Sequence, residues 1–221
     1  MTPAGTRSTA ERTVVHLLRH GEVDNPAGVL YGRLPGYHLS ERGRKMAEVA
    51  AAHLADRDIR AVIASPLERA QETATPLATA LNLDIGTDER IIEAANTFEG
   101  QVFGADLSGL RHPAVWWRLR NPFRPSWGEP YRQLAARMLA AAEDARDQVR
   151  GHEVVLVSHQ LPIWIARLAA ERRRLWHDPR RRECALASLT SLEYEGDDLV
   201  NLTYAEPAAA LLPGANPAVG A

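Results

Sequence analysis

Three short runs of mainly β-branched and aliphatic residues decide what kind of sheet this chain can form. The runs cover residues 13–18, 60–64 and 153–157. Their apolar residues are nearly continuous, which is the pattern of strands buried on both faces, as in a parallel sheet covered by helices. Polar residues follow each run at once, and an open α/β sheet presents its ligand-binding groups at the carboxyl ends of its strands. The residues after these strands are therefore the first candidates for a functional site.

The segments between the runs have helical periodicity. Ser40 is a typical N-cap, and apolar residues recur at helical spacing after it. Pro66 stands in the first turn of a second helix, where an amide N–H is not needed. The pattern predicts helices over 41–57, 67–81, 131–149 and 161–170, and late strands over 185–195 and 199–204. A chain of 221 residues with this alternation fits one α/β domain.

The charge of the chain is nearly balanced. Lys and Arg number 26 against 28 Asp and Glu, a formal net charge of -2, which offers no general attraction for nucleic acid or an anionic membrane. No stretch approaches the roughly 18 uninterrupted apolar residues of a membrane-spanning helix. The single cysteine, Cys184, cannot form an intramolecular disulfide. We therefore expect an unexported cytoplasmic protein with no nucleic-acid or membrane partner.

Both ends of the chain lack the composition of a packed domain. Residues 1–12 are polar, and residues 206–221 are rich in Ala, Pro and Gly and cannot bury much apolar surface. We expect a flexible N-terminus over 1–12, a folded domain over 13–205 and a flexible tail over 206–221.

Five ordered motifs follow the predicted strands and helices, and together they resemble the histidine phosphatase superfamily, which also contains the cofactor-dependent phosphoglycerate mutases. They are LRHGE at 18–22, LSERG at 39–43, ASPLERAQET at 64–73, Glu93 followed by FEG at 98–100, and VLVSH at 155–159. The resemblance implies a single three-layer α/β/α domain with a mixed, mostly parallel central sheet. It also implies that residues 13–205 form the catalytic domain, with a phosphate pocket at the carboxyl edge of the sheet.

The chemistry of a phosphate ester explains why these residue types belong together. Attack on phosphorus must pass a shield of negatively charged oxygens, so cationic groups are needed first. Guanidinium groups can each bind two phosphate oxygens, and the resemblance assigns Arg19, Arg69 and His159 to this role. It assigns His20 as the nucleophile that forms a phosphohistidine, and Glu93 as the acid that protonates the leaving group.

The same resemblance predicts a metal-free enzyme without a cofactor, because arginines supply the electrostatic stabilisation. Asn25 resembles a polar residue that family members place after RHG, so a phosphate contact is predicted, although it comes one residue sooner than usual. Glu99 lies close to Glu93 in sequence and is the alternative carboxylate. Gln160 stands where many relatives have a small residue such as glycine, so the pocket wall is expected to differ there.

Three functions are compatible with these residues. The first is hydrolysis of a small phosphorylated metabolite, and the second is mutase-like phosphotransfer on a glycerate-like acid. The segment after Glu89–Arg90 does not continue into the ERHYG sequence of the mutases, which favours the phosphatase. The third is a non-catalytic domain that binds phosphorylated ligands.

Residues outside the motifs have more than one interpretation. Residues 101–130 hold three tryptophans and several arginines, and they form either a lid that reads the rest of the substrate or a helical excursion packed on the core. The arginines of 172–174 and 180–182 are interpreted as solvated surface. The other histidines lack metal-ligand spacing and are assigned to packing or surface: His16, His38, His53, His112, His152 and His177.

Overall fold

The computed structural model describes residues 11–102 and 128–215 of the chain. Within these residues a six-stranded sheet has the order β3-β2-β4-β1-β5-β6. Its strands are β1 Arg12–Arg19, β2 Ile59–Ala64, β3 Ile85–Thr87, β4 Glu153–Ser158, β5 Leu189–Glu195 and β6 Asp198–Ala205. Strands β3, β2, β4 and β1 are parallel, whereas β5 and β6 continue the sheet as antiparallel strands. The predicted mixed, mostly parallel sheet is confirmed.

Four α-helices of the described residues cover the two faces of this sheet. They are α1 Glu41–Leu54, α2 Glu68–Leu81, α3 Tyr131–Gln148 and α4 Gln160–Ala170. Helices α1 and α2 pack on one face in a core that includes Leu18 and Val155, and α3 and α4 pack on the other in a core that includes Leu17 and Leu156. Successive residues of one strand therefore enter opposite cores, which explains the continuous apolar runs. None of the helices in the described ranges is long and apolar enough to cross a membrane.

The predicted helix boundaries are close to the observed ones, and the differences have local causes. Ser40 caps α1 as expected, since its hydroxyl accepts the backbone N–H of Gly43 at 3.0 Å. The helix ends at Leu54, three residues before the predicted end. Strand β5 begins at Leu189 and not at Ala185, because Ala187 has a left-handed φ of 52° and the preceding residues form a turn. Strand β3 was not predicted, since three residues are too few for a periodic signal.

The structure describes only part of the two chain ends and of the predicted lid. Residues 1–10 and 216–221 lie outside the described residues, as does most of the 101–130 segment. In the predicted C-terminal tail, Ala208 is only 1% exposed and joins the core under α1 and α2. Leu211 and Leu212 pack against that same core from a short 3₁₀ helix. Part of the segment predicted as a flexible tail thus packs on the domain.

Candidate active site

The main chain of the sheet brings the ends of three strands together. Arg19, the last residue of β1, is in register with Ser158, the last residue of β4. The N–H of His20 donates to the carbonyl of Ser158 at 3.1 Å, and the N–H of Ser65 donates to the carbonyl of Val157 at 2.9 Å. Consequently the residues that follow β1, β4 and β2 lie side by side along the carboxyl edge. This places His20, His159 and Ser65 in one cluster, as the strand pattern predicts.

His20 is buried, with 2% of its surface exposed, and its protonation state follows from its contacts. Its Nδ1 lies 2.8 Å from the carbonyl oxygen of Gly21. A carbonyl oxygen can only accept, so Nδ1 carries the proton and Nε2 keeps a lone pair. Burial, together with the positive charges of Arg69 and Arg19, lowers the pKa of His20 well below its usual value. The ring is therefore neutral near pH 7, with Nε2 able to attack an electrophile.

A close approach of two backbones fixes the turn that follows His20. A Cβ atom added to Gly21 would lie 2.5 Å from the carbonyl oxygen of Gly43, and one added to Gly43 would collide with the carbonyl oxygen of Glu22. Only glycine at both positions permits this contact. The RHG motif and the LSERG motif are thus two sides of one backbone contact.

Two buried guanidinium groups flank His20. The Nη1 of Arg19 donates to the carbonyl oxygen of Cys184 at 2.6 Å, and an Nη2 group of Arg69 donates to the carbonyl oxygen of Gly32 at 2.6 Å. The guanidinium of Arg69 also lies over the ring of Tyr31, 4.7 Å from its centroid. Within the described residues neither arginine has a carboxylate at salt-bridge distance. The two charged guanidinium groups therefore donate hydrogen bonds to neutral carbonyl oxygens.

Several N–H groups of these arginines have no hydrogen-bond partner in the part of the chain that the structure describes. The Nε of Arg19 and the Nε and Nη1 of Arg69 are buried and unpaired in the described structure. An unpaired buried donor costs about 1–3 kcal/mol, and more when it is charged. Buried donors on two cations beside a neutral imidazole form a site suited to an anion with several acceptor oxygens.

His159 supplies a further donor to the same space. Its Nε2 lies 2.8 Å from Oγ of Ser65, which also accepts the N–H of Leu67 at 3.4 Å. A hydroxyl can donate as well as accept, and when that of Ser65 donates to Nε2, Nδ1 carries the proton. That Nδ1 is buried and has no partner among the described residues. The rings of His159 and His20 are 5.2 Å apart between centroids.

Glu93 is the buried carboxylate of the cluster. Its Oε1 accepts the N–H of Ala94 at 2.8 Å. Burial raises the pKa of Glu93, although the N–H of Ala94 and the charge of Arg69 act in the opposite direction. The alternative carboxylate, Glu99, is half-buried and accepts the N–H of Asn96 at 3.2 Å within its own turn. Burial thus favours the protonated form of Glu93, whereas Glu99 is only half-buried.

The side chain of Asn25, for which a phosphate contact is predicted, binds the backbone of its own loop. Its side-chain amide donates to the carbonyl of Val29 at 2.8 Å, and its side-chain oxygen accepts the N–H of Val29 at 3.1 Å. These paired bonds close the loop after RHG. Asn25 shapes this loop, with its amide directed at the backbone of Val29.

One arginine of the predicted solvated surface belongs to the site region. Arg182 lines a cavity of about 220 Å³ together with Glu93, Gly32 and Tyr131. Arg180 and Arg181 of the same group are exposed, as predicted. The sequence offered no signal that separates Arg182 from its neighbours, because three consecutive arginines have no periodicity.

The fold and the cluster together define the class of the protein. A mixed α/β sheet that presents two histidines and two arginines at its carboxyl edge is the architecture of the phosphoglycerate mutase-like enzymes. The model of the histidine phosphatase superfamily (branch 1) matches residues 15–206. The chain belongs to this superfamily.

Similar proteins agree with this assignment. The uncharacterized protein Rv0525 of Mycobacterium tuberculosis is 61% identical over 199 residues, which cover 90% of this chain and 98% of that protein. Phosphoserine phosphatase 1 of Hydrogenobacter thermophilus is 29% identical, with 72% of this chain and 78% of that protein covered. The structure of a mycobacterial glucosyl-3-phosphoglycerate phosphatase superposes with a TM-score of 0.70 at 26% identity, over 87% of this chain and 97% of that one. The chain is a histidine phosphatase-like enzyme.

Proposed function

We propose that this protein hydrolyses the phosphate monoester of a small phosphorylated metabolite through a phosphohistidine at His20. The observation that carries the proposal is the set of unpaired N–H groups on Arg19 and Arg69 around a neutral imidazole. A phosphoryl group has enough acceptor oxygens to pair with these donors, and its charge balances the two guanidinium groups. The relatives that are named as phosphatases support hydrolysis over transfer.

The first chemical step forms one bond and breaks one. Nε2 of His20 attacks phosphorus while the ester P–O bond breaks, and Arg19, Arg69 and Nδ1 of His159 stabilise the charge on the phosphoryl oxygens. Glu93 gives its proton to the departing alkoxide, so the alcohol leaves neutral. The product of this step is a phosphohistidine with Glu93 as a carboxylate.

The second step restores the enzyme. Water attacks the phosphohistidine, the P–N bond breaks, and the proton of the water passes to Glu93. Inorganic phosphate leaves, and His20 returns to the neutral form with Nδ1 still bonded to Gly21. No residue beyond these is needed to balance the protons.

Phosphate release from a panel of phosphomonoesters tests this function, with wild type compared to His20→Ala. We expect steady release by wild type without a bisphosphate primer, and no turnover by the variant. His53→Ala, which alters an exposed histidine of α1, is the matched control and should behave as wild type. Turnover that survives in His20→Ala would exclude the mechanism, and turnover that requires a bisphosphate primer would indicate a mutase. Binding of phosphate esters without turnover would indicate a non-catalytic domain.

We also propose that the enzyme works in the cytoplasm on soluble substrates. Cys184 is a free, buried thiol, which fits a reducing compartment. Localisation of the tagged full chain in its native host by cell fractionation tests this, and recovery in the exported fraction would contradict it.

A further inference from the structure

Glu93 stands in a segment without regular secondary structure. The short 3₁₀ helix before it ends at Ile91, and an isolated bridge between Asn96 and Gly128 follows it. Among the described residues, no hydrogen bond between main-chain groups involves Glu93. A proton donor must be held close to its productive geometry, because a displacement of about 1 Å can cost about 100-fold in rate. Side chains from other elements must therefore hold this segment.

Two arginines bind the carbonyl oxygen of Glu93. Nε of Arg33 donates to it at 2.6 Å, and Nη2 of Arg137 donates to it at 3.4 Å. Arg137 belongs to α3 and Arg33 to the loop after RHG, so the two guanidinium groups come from separate elements. Nη1 of Arg137 also donates to the carbonyl oxygen of Arg90. The main chain that leads to Glu93 is thus held at two points.

The peptide unit between Glu93 and Ala94 connects these bonds to the carboxyl group. Its carbonyl is the one that the two arginines bind, and its N–H, on the opposite edge of the same plane, donates to Oε1 of Glu93 at 2.8 Å. A peptide unit is planar and resists twisting, so a bond that fixes one edge also fixes the direction of the other. The arginines therefore orient the carboxyl group through the main chain.

Glu129 joins the two arginines into one unit. Its Oε1 accepts Nε of Arg137 at 2.7 Å, and its Oε2 accepts Nη2 of Arg137 at 2.9 Å and Nη2 of Arg33 at 3.1 Å. The N–H of Glu129 donates to the carbonyl oxygen of Ala95 at 3.1 Å, which ties its own backbone to the same segment. A bidentate pair of this kind has a defined geometry. We call Arg33, Glu129 and Arg137 the clamp.

The clamp differs from the phosphate-binding arginines in how its donors are used. All three guanidinium nitrogens of Arg137 donate to oxygens of the protein. Arg19 and Arg69, in contrast, have buried donors without partners among the described residues. Glu129 also offsets one of the two positive charges of the clamp. Arg137 is thus bonded to hold the main chain and not to receive the phosphate.

We propose that the clamp positions the carboxyl group of Glu93 for proton transfer to the leaving group. The inference deepens the proposed function and rests on it for the role of Glu93. Arg33, Glu129 and Arg137 are positioning residues, because they act through the main chain of Glu93 and not on the reacting atoms. The proton still passes from Glu93 to the alkoxide as the ester bond breaks.

The test measures how the loss of rate depends on the leaving group. Arg137→Met removes the guanidinium but keeps an unbranched side chain. We expect kcat to fall about 10- to 100-fold for an alkyl phosphate and less than about threefold for an aryl phosphate, because a phenolate leaves without a proton. Arg33→Met, which removes the shorter bond to the carbonyl of Glu93, should show the same selectivity. Arg132→Met, at an exposed position of α3, is the matched control and should leave both rates unchanged.

A double-mutant cycle separates the positioning of Glu93 from general damage. The acid is already absent in Glu93→Gln, so adding Arg137→Met should lower alkyl phosphate turnover by less than about twofold more. A double variant whose loss equals the product of the two single losses would overturn the proposal. Equal losses on both esters in a folded Arg137→Met would do the same. Thermal melting identifies a variant that does not fold, and Arg33→Met, on a loop, then replaces Arg137→Met in the cycle.

Hydrogen exchange of the Ala94 amide gives a readout that does not need turnover. This N–H is bonded to the carboxyl group of Glu93, and it should exchange at least about tenfold faster in Arg137→Met than in the wild type or in Arg132→Met. Unchanged exchange in a folded Arg137→Met would contradict the proposal. Failure of the proposed function has a different signature, namely aryl phosphate turnover that is absent in the wild type or retained in His20→Ala.

Discussion

Oγ of Ser65 lies 2.8 Å from Nε2 of His159, and this contact occupies one of the two nitrogens of the ring. The two residues follow adjacent parallel strands, β2 and β4, so the contact is built into the sheet. Among the described residues Nδ1 has no partner, and it is a donor when Ser65 gives its hydroxyl proton to Nε2. Ser65 is thus a positioning residue for His159.

Replacing Ser65 by Ala should lower kcat by up to about 100-fold, because His159 loses the partner that fixes its tautomer and orientation. The KM should change less, since both arginines remain. Nitrogen NMR of the His159 ring provides a readout that a purely structural role would not move. Thr190→Val is the control, since Thr190 is equally buried and its hydroxyl has no partner. An unchanged tautomer in Ser65→Ala would contradict this role.

Glu93→Gln should slow hydrolysis of alkyl phosphates by about 10²–10⁴-fold, because glutamine cannot protonate the leaving alkoxide. The loss on an aryl phosphate should be much smaller, since a phenolate leaves without a proton. Rates for the two ester types, measured side by side, check this prediction. Glu99→Gln is the comparison variant. A larger loss on alkyl than on aryl phosphates in Glu99→Gln, and not in Glu93→Gln, would make Glu99 the proton donor.

The His20 ring should remain neutral below its usual titration range. Its pKa is lowered by burial and by Arg69 and Arg19, so the protonated form appears only at pH values well under 6.5. Arg69→Gln removes one of these charges and should move the pKa upward. An NMR titration of the His20 ring in both proteins measures the two values. Titration at the ordinary value in the wild type would show that the ring is more solvated than the structure indicates.

Gly43→Ala should destabilise the protein by about 3 kcal/mol or more, although alanine normally favours a helix. The reason is the backbone of Glu22, which occupies the position of the added methyl group. Gly86→Ala is the matched control, because its methyl would meet Ile63 at an ordinary 3.5 Å. Urea unfolding of the three proteins gives the free energies. Equal stability of both variants would mean that the two loops separate readily.

Glu153 should stabilise the fold in a pH-dependent way. Burial alone would raise the pKa of this carboxylate, but hydrogen bonds from His16 and Arg57 outweigh burial and lower the pKa to about 2. A lowered pKa means that the stabilisation is complete above about pH 4.5 and is lost as the pH falls toward 2. The difference in Tm between wild type and Glu153→Gln should therefore shrink as the pH falls from 6 to 3. Glu195→Gln, at an exposed carboxylate of β5, should show no such trend.

The sequence predicts the site best where main-chain geometry dictates it. Arg19, His20 and His159 follow strands with an unmistakable apolar pattern, and parallel strands must align their ends. Helix starts were also predictable, because a cap such as Ser40 is a local feature. Arg69 and Glu93, which complete the cluster, were predicted from the resemblance of their motifs to the superfamily.

Contacts between distant loops could not be predicted in the same way. Arg182 reaches the cavity through a loop whose path depends on His177 and Gln160, and neither residue has a sequence pattern that indicates pairing. The phosphate contact of Asn25 stays a prediction, and the hydrogen bonds between its side chain and Val29 were not predicted. In both cases the path of a loop in the folded protein determines which contacts the side chain makes. Loops have no periodic sequence pattern from which such contacts could be predicted.

The register between β1 and β4 determines where the residues of the site stand, apart from the chemistry of their side chains. Main-chain hydrogen bonds between β1 and β4 place positions 20 and 159 side by side at the carboxyl edge. The carboxyl edge is therefore a fixed template on which an engineer could install a different reaction without redesigning the fold.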